Sequence, residues 1–252
     1  MVKNSDNRYV ICTAGQSVPA VEVFRNPFHD QHVYVKLLTD DFSLLEASNI
    51  LPEIRSAEGK PLQIMVSSKE CSLIRLLQKN GFERKRRCYE MKVRESDSRA
   101  KLRRTNRVQE GGPGARRYEE CCCLLHRYYR ETHESVSPLT APYEDFRQRL
   151  PERVLFQCDG DAVSCAAFVD GNELAYVCAE NRTEFSVFIE EVLTRMFDAY
   201  PELWFEADDA DWAASALKDL FSREAEKCYD TYVLTTRGYS PIGGGGGPAV
   251  HL

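Results

Sequence analysis

A chain of 252 residues, 43% hydrophobic and 29% charged with a formal charge of −6, has room for one large domain or two small ones and the balance of a soluble globular protein. No apolar run approaches the ~18–20 residues that a membrane span requires. MVKNSDNRYV lacks the apolar core of a secretory leader, so a cytoplasmic protein with no membrane partner is expected.

Taken in chain order, RYVICTA, AVEVFRN and HVYVKLL alternate as strands, with Asn26-Pro27 breaking the chain between the last two. A helix is expected over 42–55, then the strand LQIMV, a helix over 70–80 stopped by Gly81, and the strand CYEMKV. Residues 94–117, RESDSRAKLRRTNRVQEGGPGARR, are almost free of apolar side chains and contain GGPG, the composition of a linker. It separates a first part, 1–93, from a second, 118–236. The second part reads as helices over 118–133 and 142–150, and three strands joined through Asp159-Gly160 and Asp170-Gly171-Asn172. An amphipathic helix, the strand LWFEA, a helix in DADWAASALKDLF and the strand CYDTYVL complete it. Residues 237–252 are a Gly-rich, low-complexity tail and are set outside the fold.

The charge follows the same division. Residues 94–117 hold eight Lys/Arg against three Asp/Glu, and residues 118–236 hold ten against 25, while the first 93 are closer to balance. Such segregation bears on partners more than on fold. Ten cysteines without a CxxC pair give no zinc pattern, and no metal site is expected. Cys12, Cys158, Cys165 and Cys178 fall in apolar strand runs as small hydrophobes, and consecutive Cys121, Cys122 and Cys123 would point three ways from a helix.

The two parts repeat one order of elements. Phe42-Ser43 matches Phe185-Ser186, Leu62 matches Leu203, and Cys88-Tyr89 matches Cys228-Tyr229, in the same order and at a nearly constant separation. Within this unit IRLLQKNGF (74–82), ahead of a strand ending YEMKV, resembles the GNAT superfamily of acyl-CoA-dependent N-acyltransferases. There a stretch like A-x-x-L-Y-E-K-x-G-F precedes the last two strands. The resemblance is strongest over 61–93 and 173–234. It implies a mixed α/β, GNAT-like fold of two tandem copies, each with a mostly antiparallel central sheet flanked by helices. The first copy is truncated, lacking the two opening helices.

The resemblance also implies a chemistry. A glycine-bearing loop after the fourth strand lets backbone N–H groups approach the diphosphate of CoA. The corresponding stretches, KLLTDDFS (36–43) and CAENRTEFS (178–186), hold no glycine and place Asp40, Asp41 and Glu184 where phosphate would sit. Arg182 is the compensating charge. Cys178, Ala179, Arg182 and Phe185 are the candidate contacts to acetyl-CoA. The family's tyrosine general acid is replaced by Leu77 in the first part and by Leu217 or Lys218 in the second, which leaves Tyr229 on the following strand. Glu206 and Asp208 are the candidate carboxylates for the amine proton, although Asp208, Asp209 and Asp211 also read as a helix cap.

The resemblance implies an N-acetyltransferase passing an acetyl group from acetyl-CoA to a small-molecule amine. The second part, which alone has the opening helices, is the better place for its cleft. The alternative is a non-catalytic GNAT-fold module that binds a ligand or a protein. The eleven Lys/Arg of residues 84–107 come with no nucleic-acid motif, so packing against the acidic second part is the stronger expectation. The number of copies in any homo-oligomer is not encoded in a readable way.

Overall fold

The computed structural model describes residues 2–3, 7–13, 16–99 and 101–235, so the Gly-rich segment 237–252 lies outside the described residues. Strands β1 (Val2–Lys3), β2 (Arg8–Thr13), β3 (Gln16–Phe24) and β4 (Val33–Leu37) lead into helices α1 (Phe42–Ser48) and α2 (Ile50–Glu58). Then come β5 (Leu62–Ser67), α3 (Cys71–Lys79) and β6 (Glu83–Val93). A 3-10 turn at 95–97 and β7 (Gln109–Gly111) precede α4 (Arg116–His133), α5 (Tyr143–Arg147), β8 (Arg153–Asp159), β9 (Ala162–Asp170) and β10 (Glu173–Ala179). The chain closes with α6 (Arg182–Ala199), β11 (Leu203–Asp208), α7 (Trp212–Asp219) and β12 (Lys227–Leu234).

Local chemistry sets several boundaries. The helix expected over 42–55 is two helices, because Asn49 turns left-handed at φ 50° and its N–H closes α1 onto the Glu46 carbonyl. Gly81, at φ 84°, ends α3, and the Phe82 N–H reaches back 3.0 Å to the Leu77 carbonyl in a Schellman-type stop. Cysteine placement departs from the expectation at two sites. Cys165 and Cys178 are buried, but Cys158 is half-buried and Cys12 exposed, since the strand face that carries Cys12 turns away from the core.

The twelve strands form one mixed sheet in the order β1-β2-β3-β4-β5-β12-β6-β11-β10-β9-β8-β7. Only β4–β5 and β10–β11 run parallel, as expected for a mostly antiparallel sheet. The order exposes an exchange. β6, the last strand of the first part, lies between β11 and β12, while β12 lies between β6 and β5. Each part therefore completes the other's half of the sheet, and the halves join edge to edge along the β6–β12 seam. Asp230, 2% exposed, holds that seam by accepting two bonds from Arg87, at 2.6 and 2.8 Å. Two apolar cores lie on either side: one under β2–β5 with α1–α3, the other under β8–β11 with α4, α6 and α7.

Register fixes how the two halves correspond. β5 and β11 are equal in length and share a burial pattern at all but their second position, so Leu62 corresponds to Leu203 and Ser67 to Asp208. Ser67 pairs with Tyr229, and its counterpart Asp208 pairs with Cys88. Cys88 therefore corresponds to Tyr229, and not to Cys228. The repeated Cys-Tyr letters lie one position out of structural register, and because strand side chains alternate, Cys88 and Cys228 face opposite sides of the sheet.

Residues 94–117 and the basic run before them pack on the second part. Arg86 pairs with Asp208, Lys92 and Arg94 with Glu202, and Arg104 with Asp198. Fully buried Glu191 on α6 accepts from the Thr105 hydroxyl and from the backbone N–H groups of Thr105, Arg107 and Val108, which fixes the strap against the helix. Among the described residues no helix is long and apolar enough to cross a membrane.

Candidate functional site

Strand alternation builds a polar floor at the seam. Cross-strand partners share a face, so Met65 and Ser67 of β5, Tyr229 and Thr231 of β12, Arg86, Cys88 and Glu90 of β6, and Trp204, Glu206 and Asp208 of β11 all point to one side. The intervening residues, such as Ile64, Met91, Phe205 and Tyr232, enter the two cores. The C-terminal turns of α4 roof the floor with Tyr129 and His133, and the loops around His29 and Ser137 close its side. Two clefts result, of about 680 and 600 Å³. They meet at five shared residues: Met65, Arg86, Tyr129, His133 and Tyr229.

Both clefts begin where parallel strands splay. The β4–β5 ladder stops after Val33–Leu62 and Tyr34–Gln63, and β10–β11 pair only at Glu173–Trp204. Beyond these points the facing strand edges no longer pair with each other. In the first half, the larger cleft follows this gap out to Lys36, Asp40 and Phe42 on one side and Glu70 and Leu73 on the other. In the second half, side chains occupy the junction of α4, α6 and α7 above the gap. Trp212 packs edge-on against Tyr128 and Phe185, at 5.6 and 5.5 Å, and the Arg182 guanidinium lies 5.0 Å over its ring. The expectation placed the cleft in the second half; the wider opening lies in the first.

A diphosphate does not fit either helix start. At α1 the Asp41 carboxylate already accepts from the Leu44 N–H and the Ser43 hydroxyl, which hold its pKa below the ordinary value, and Asp40 stands beside it. At α6 Asn181 accepts from the Glu184 N–H at 2.9 Å, and the Glu184 carboxyl is adjacent. Both starts present side-chain oxygen where an anion would need free N–H groups.

At the meeting point the groups are closely arranged. The Arg86 guanidinium lies 2.5 Å from Asp208 and 3.3 Å from the Thr231 hydroxyl; burial opposes its charge, and Asp208 more than offsets that. His133 is 7% exposed, and its Nδ1 lies 3.1 Å from the Tyr129 carbonyl, which can only accept, and 3.0 Å from the Thr132 hydroxyl, whose own proton can go to the Tyr128 carbonyl, an arrangement that favours the proton on Nδ1. Burial, with Arg86 and His29 nearby, pushes the His133 pKa down to about 3. The ring is therefore neutral and lines both clefts, and its Nε2 atom lies 4.0 Å from Asp208 without an ion pair. His29 donates from Nδ1 to the Pro138 carbonyl and receives the Tyr129 hydroxyl at Nε2, 3.5 Å away; burial lowers its pKa as well.

The sequence-derived candidates separate into two groups. Glu206, Asp208 and Tyr229 share the floor: Tyr229 sits opposite Cys88 where the clefts meet, Glu206 lies 3.7 Å from the Cys88 thiol, and Asp208 is tied to Arg86. Burial and Glu206 push the Cys88 thiol up to about 12. Cys178, Ala179 and Phe185 are buried in the second core, and Arg182 covers Trp212; none of the four lines either cleft. Arg86, Tyr129 and His133 join the site without having been singled out. Arg86 reads as one more charge in ERKRRC, and only its register opposite Thr231 reveals it.

Comparison of the fold finds similar crystal structures. A GCN5-related N-acetyltransferase from Sphaerobacter thermophilus superposes with a TM-score of 0.53 at 13% identity, covering 89% of this chain and 78% of that one. One from Kribbella flavida gives 0.51 at 11% identity, covering 93% and 91%. A functionally unknown conserved protein from Staphylococcus epidermidis gives 0.50 at 9% identity, covering 90% and 94%. The chain therefore has the fold of the GNAT superfamily, and these matches extend over both halves of its sheet. No protein-family model and no curated protein matches the sequence.

Proposed function

We propose that the protein is an N-acyltransferase that passes an acetyl group from a thioester donor, acetyl-CoA, to an amine. In this reading the chain consists of two tandem copies of one unit, the first without its opening helices, and it works in the cytoplasm. The observation that carries the reading is the open gap of the first half. There β4 and β5 offer unpaired edges to an extended acyl arm, which would bind as an added strand does. The gap leads directly to Tyr229 and the second cleft. The donor supplies the activated acetyl group. Glu206 is placed to take the proton of the acceptor amine through water, Tyr229 to give one to the departing thiolate, and neutral His133 to orient the amine by accepting an N–H. Asp208, held by Arg86, positions the guanidinium and is the weaker proton acceptor.

The alternative, a ligand-binding module without catalysis, is favoured by the blocked helix starts, which leave a CoA diphosphate without a grip. Titration calorimetry on the full chain separates the two, comparing acetyl-CoA with S-acetyl-N-acetylcysteamine, which keeps the thioester arm and lacks the nucleotide. Transferase function through the strand edges predicts that both bind within about tenfold of each other, and that either one acetylates an amine. No heat from either at millimolar concentration would leave the non-catalytic module.

A further inference from the structure

The two ends of the groove occupy corresponding positions but carry different chemistry. At the first end stand Gln63, Met65 and Ser67 of β5, with Thr231 of β12. Their counterparts in the second half are Trp204, Glu206 and Asp208 of β11, with Glu90 of β6. The sheet positions at one end are uncharged, and those at the other are acidic with an aromatic wall. Asp208 is matched by Arg86 and Glu90 by Lys227, 3.2 Å away. Glu173 and Glu206 have no cationic partner among the described residues and line the same cleft as the rings of Tyr176 and Trp204. Burial, then Asp170 and Glu206, raise the Glu173 carboxyl pKa, the mark of negative charge short of a counterion. At the seam side of this cleft His133, a side chain more than nine-tenths buried, forms part of the wall, and its Nε2 atom has no donor within hydrogen-bonding reach among the described residues.

We infer that the second-half cleft binds an aliphatic diamine or polyamine, one ammonium between Glu173 and Glu206 beside the Tyr176 and Trp204 rings, the other amine at His133 and Tyr229. The lining favours cationic donors, since its uncommitted carboxylates, Glu173 and Glu206, accept hydrogen bonds and its one guanidinium is taken by Asp208. Ring faces and uncompensated carboxylates together favour a cation. Two charges follow from spacing. The row of Glu206 and the row of Asp208, which runs across the strands through Cys88 to Tyr229, are next-but-one on the sheet, or roughly 7 Å apart, which suits amines separated by four or five carbons. The inference names the acceptor class for the acyltransfer reading and rests on that reading for its catalytic meaning, while the binding itself is independent of it.

The test uses the full chain without any acyl donor. Trp204 lies in the cleft and Trp212 is the only other tryptophan, so fluorescence titration reports on the cleft, with calorimetry as the second measurement. 1,5-Diaminopentane should bind at least tenfold more tightly than n-pentylamine, and more weakly as salt is raised. The double variant Glu173→Gln, Glu206→Gln should erase that preference while circular dichroism stays unchanged. Equal affinity for the two amines, or a diamine preference surviving in the double variant, would overturn the inference. Diamine binding without acetyl transfer from either thioester would instead remove the transferase reading and leave the binding site. Transfer to monoamines with no diamine preference would do the reverse.

Discussion

The two clefts are made by corresponding strands in the same register, yet one follows an open gap and the other lies over a charged floor beside a helix junction filled by side chains. In the first half β4 and β5 part over a neutral surface of Gln63, Met65 and Ser67, and the cleft stays open above them. In the second half Trp212 fills the helix junction, and the sheet below carries Glu173, Glu206 and Asp208. This difference, with both clefts meeting at Tyr229, is what the proposed function and the diamine site together require: an extended uncharged arm at one end of the groove and a cation at the other. The strand exchange keeps these ends in fixed relation, because neither half has a complete sheet without the other's last strand.

The largest effect is expected at the seam. Asp230→Ala leaves the half-buried Arg87 guanidinium without its bidentate partner, a loss of about 2 kcal/mol of stability. Urea unfolding of this variant should remain a single transition, since each half is completed by the other. A two-step transition with the halves melting separately would break the picture of one groove. The next effect tests the neutral histidine where the clefts meet. The folded pKa of His133, about 3, lies below its ordinary 6.5, so the unfolded chain binds a proton that the folded chain refuses. Its contribution is complete above pH 6.5 and is lost as pH falls toward 3. Stability should drop by about 1.4 kcal/mol per pH unit from this residue below pH 6. His133→Gln should flatten that slope between pH 6 and 5; an unchanged slope would mean that the imidazole is solvated and not held neutral in the groove.

Much of this could be read from the sequence. The order of elements followed from hairpin signals and from period-2 and period-3.6 patterning, and LWFEA already placed Trp204 and Glu206 on one strand face, while Asp208, read as part of a helix cap, proves to end the same strand. The exchange of β6 and β12 could not be read, because alternation tells which face a residue takes but not which neighbour its strand finds. The same limit hid Arg86, which looks like surface charge until Asp208 is brought beside it by pairing, and His133, which ends α4 in the polar run HRYYRETH. The repeated Cys-Tyr letters misled by a single position. Identity of letters outweighed parity, and parity decides which tyrosine enters the groove.

The smallest change gives the sharpest test of the contrast between the ends. Met65 is 60% exposed on the groove floor and corresponds to Glu206, so Met65→Glu writes the charge of one end onto the other. Little apolar burial is lost, and the stability change should stay within about 0.5 kcal/mol. Binding should change more than folding. A carboxylate beside the β4–β5 gap would be desolvated by any uncharged arm laid there, so affinity for S-acetyl-N-acetylcysteamine should fall several-fold, while affinity for 1,5-diaminopentane should hold or rise because the added charge borders its cleft. Calorimetry with the two ligands on one variant measures both changes. Thioester affinity unaffected by Met65→Glu would mean that the arm does not lie in the first-half gap, and the neutrality of that end would then need another explanation than the ligand it receives.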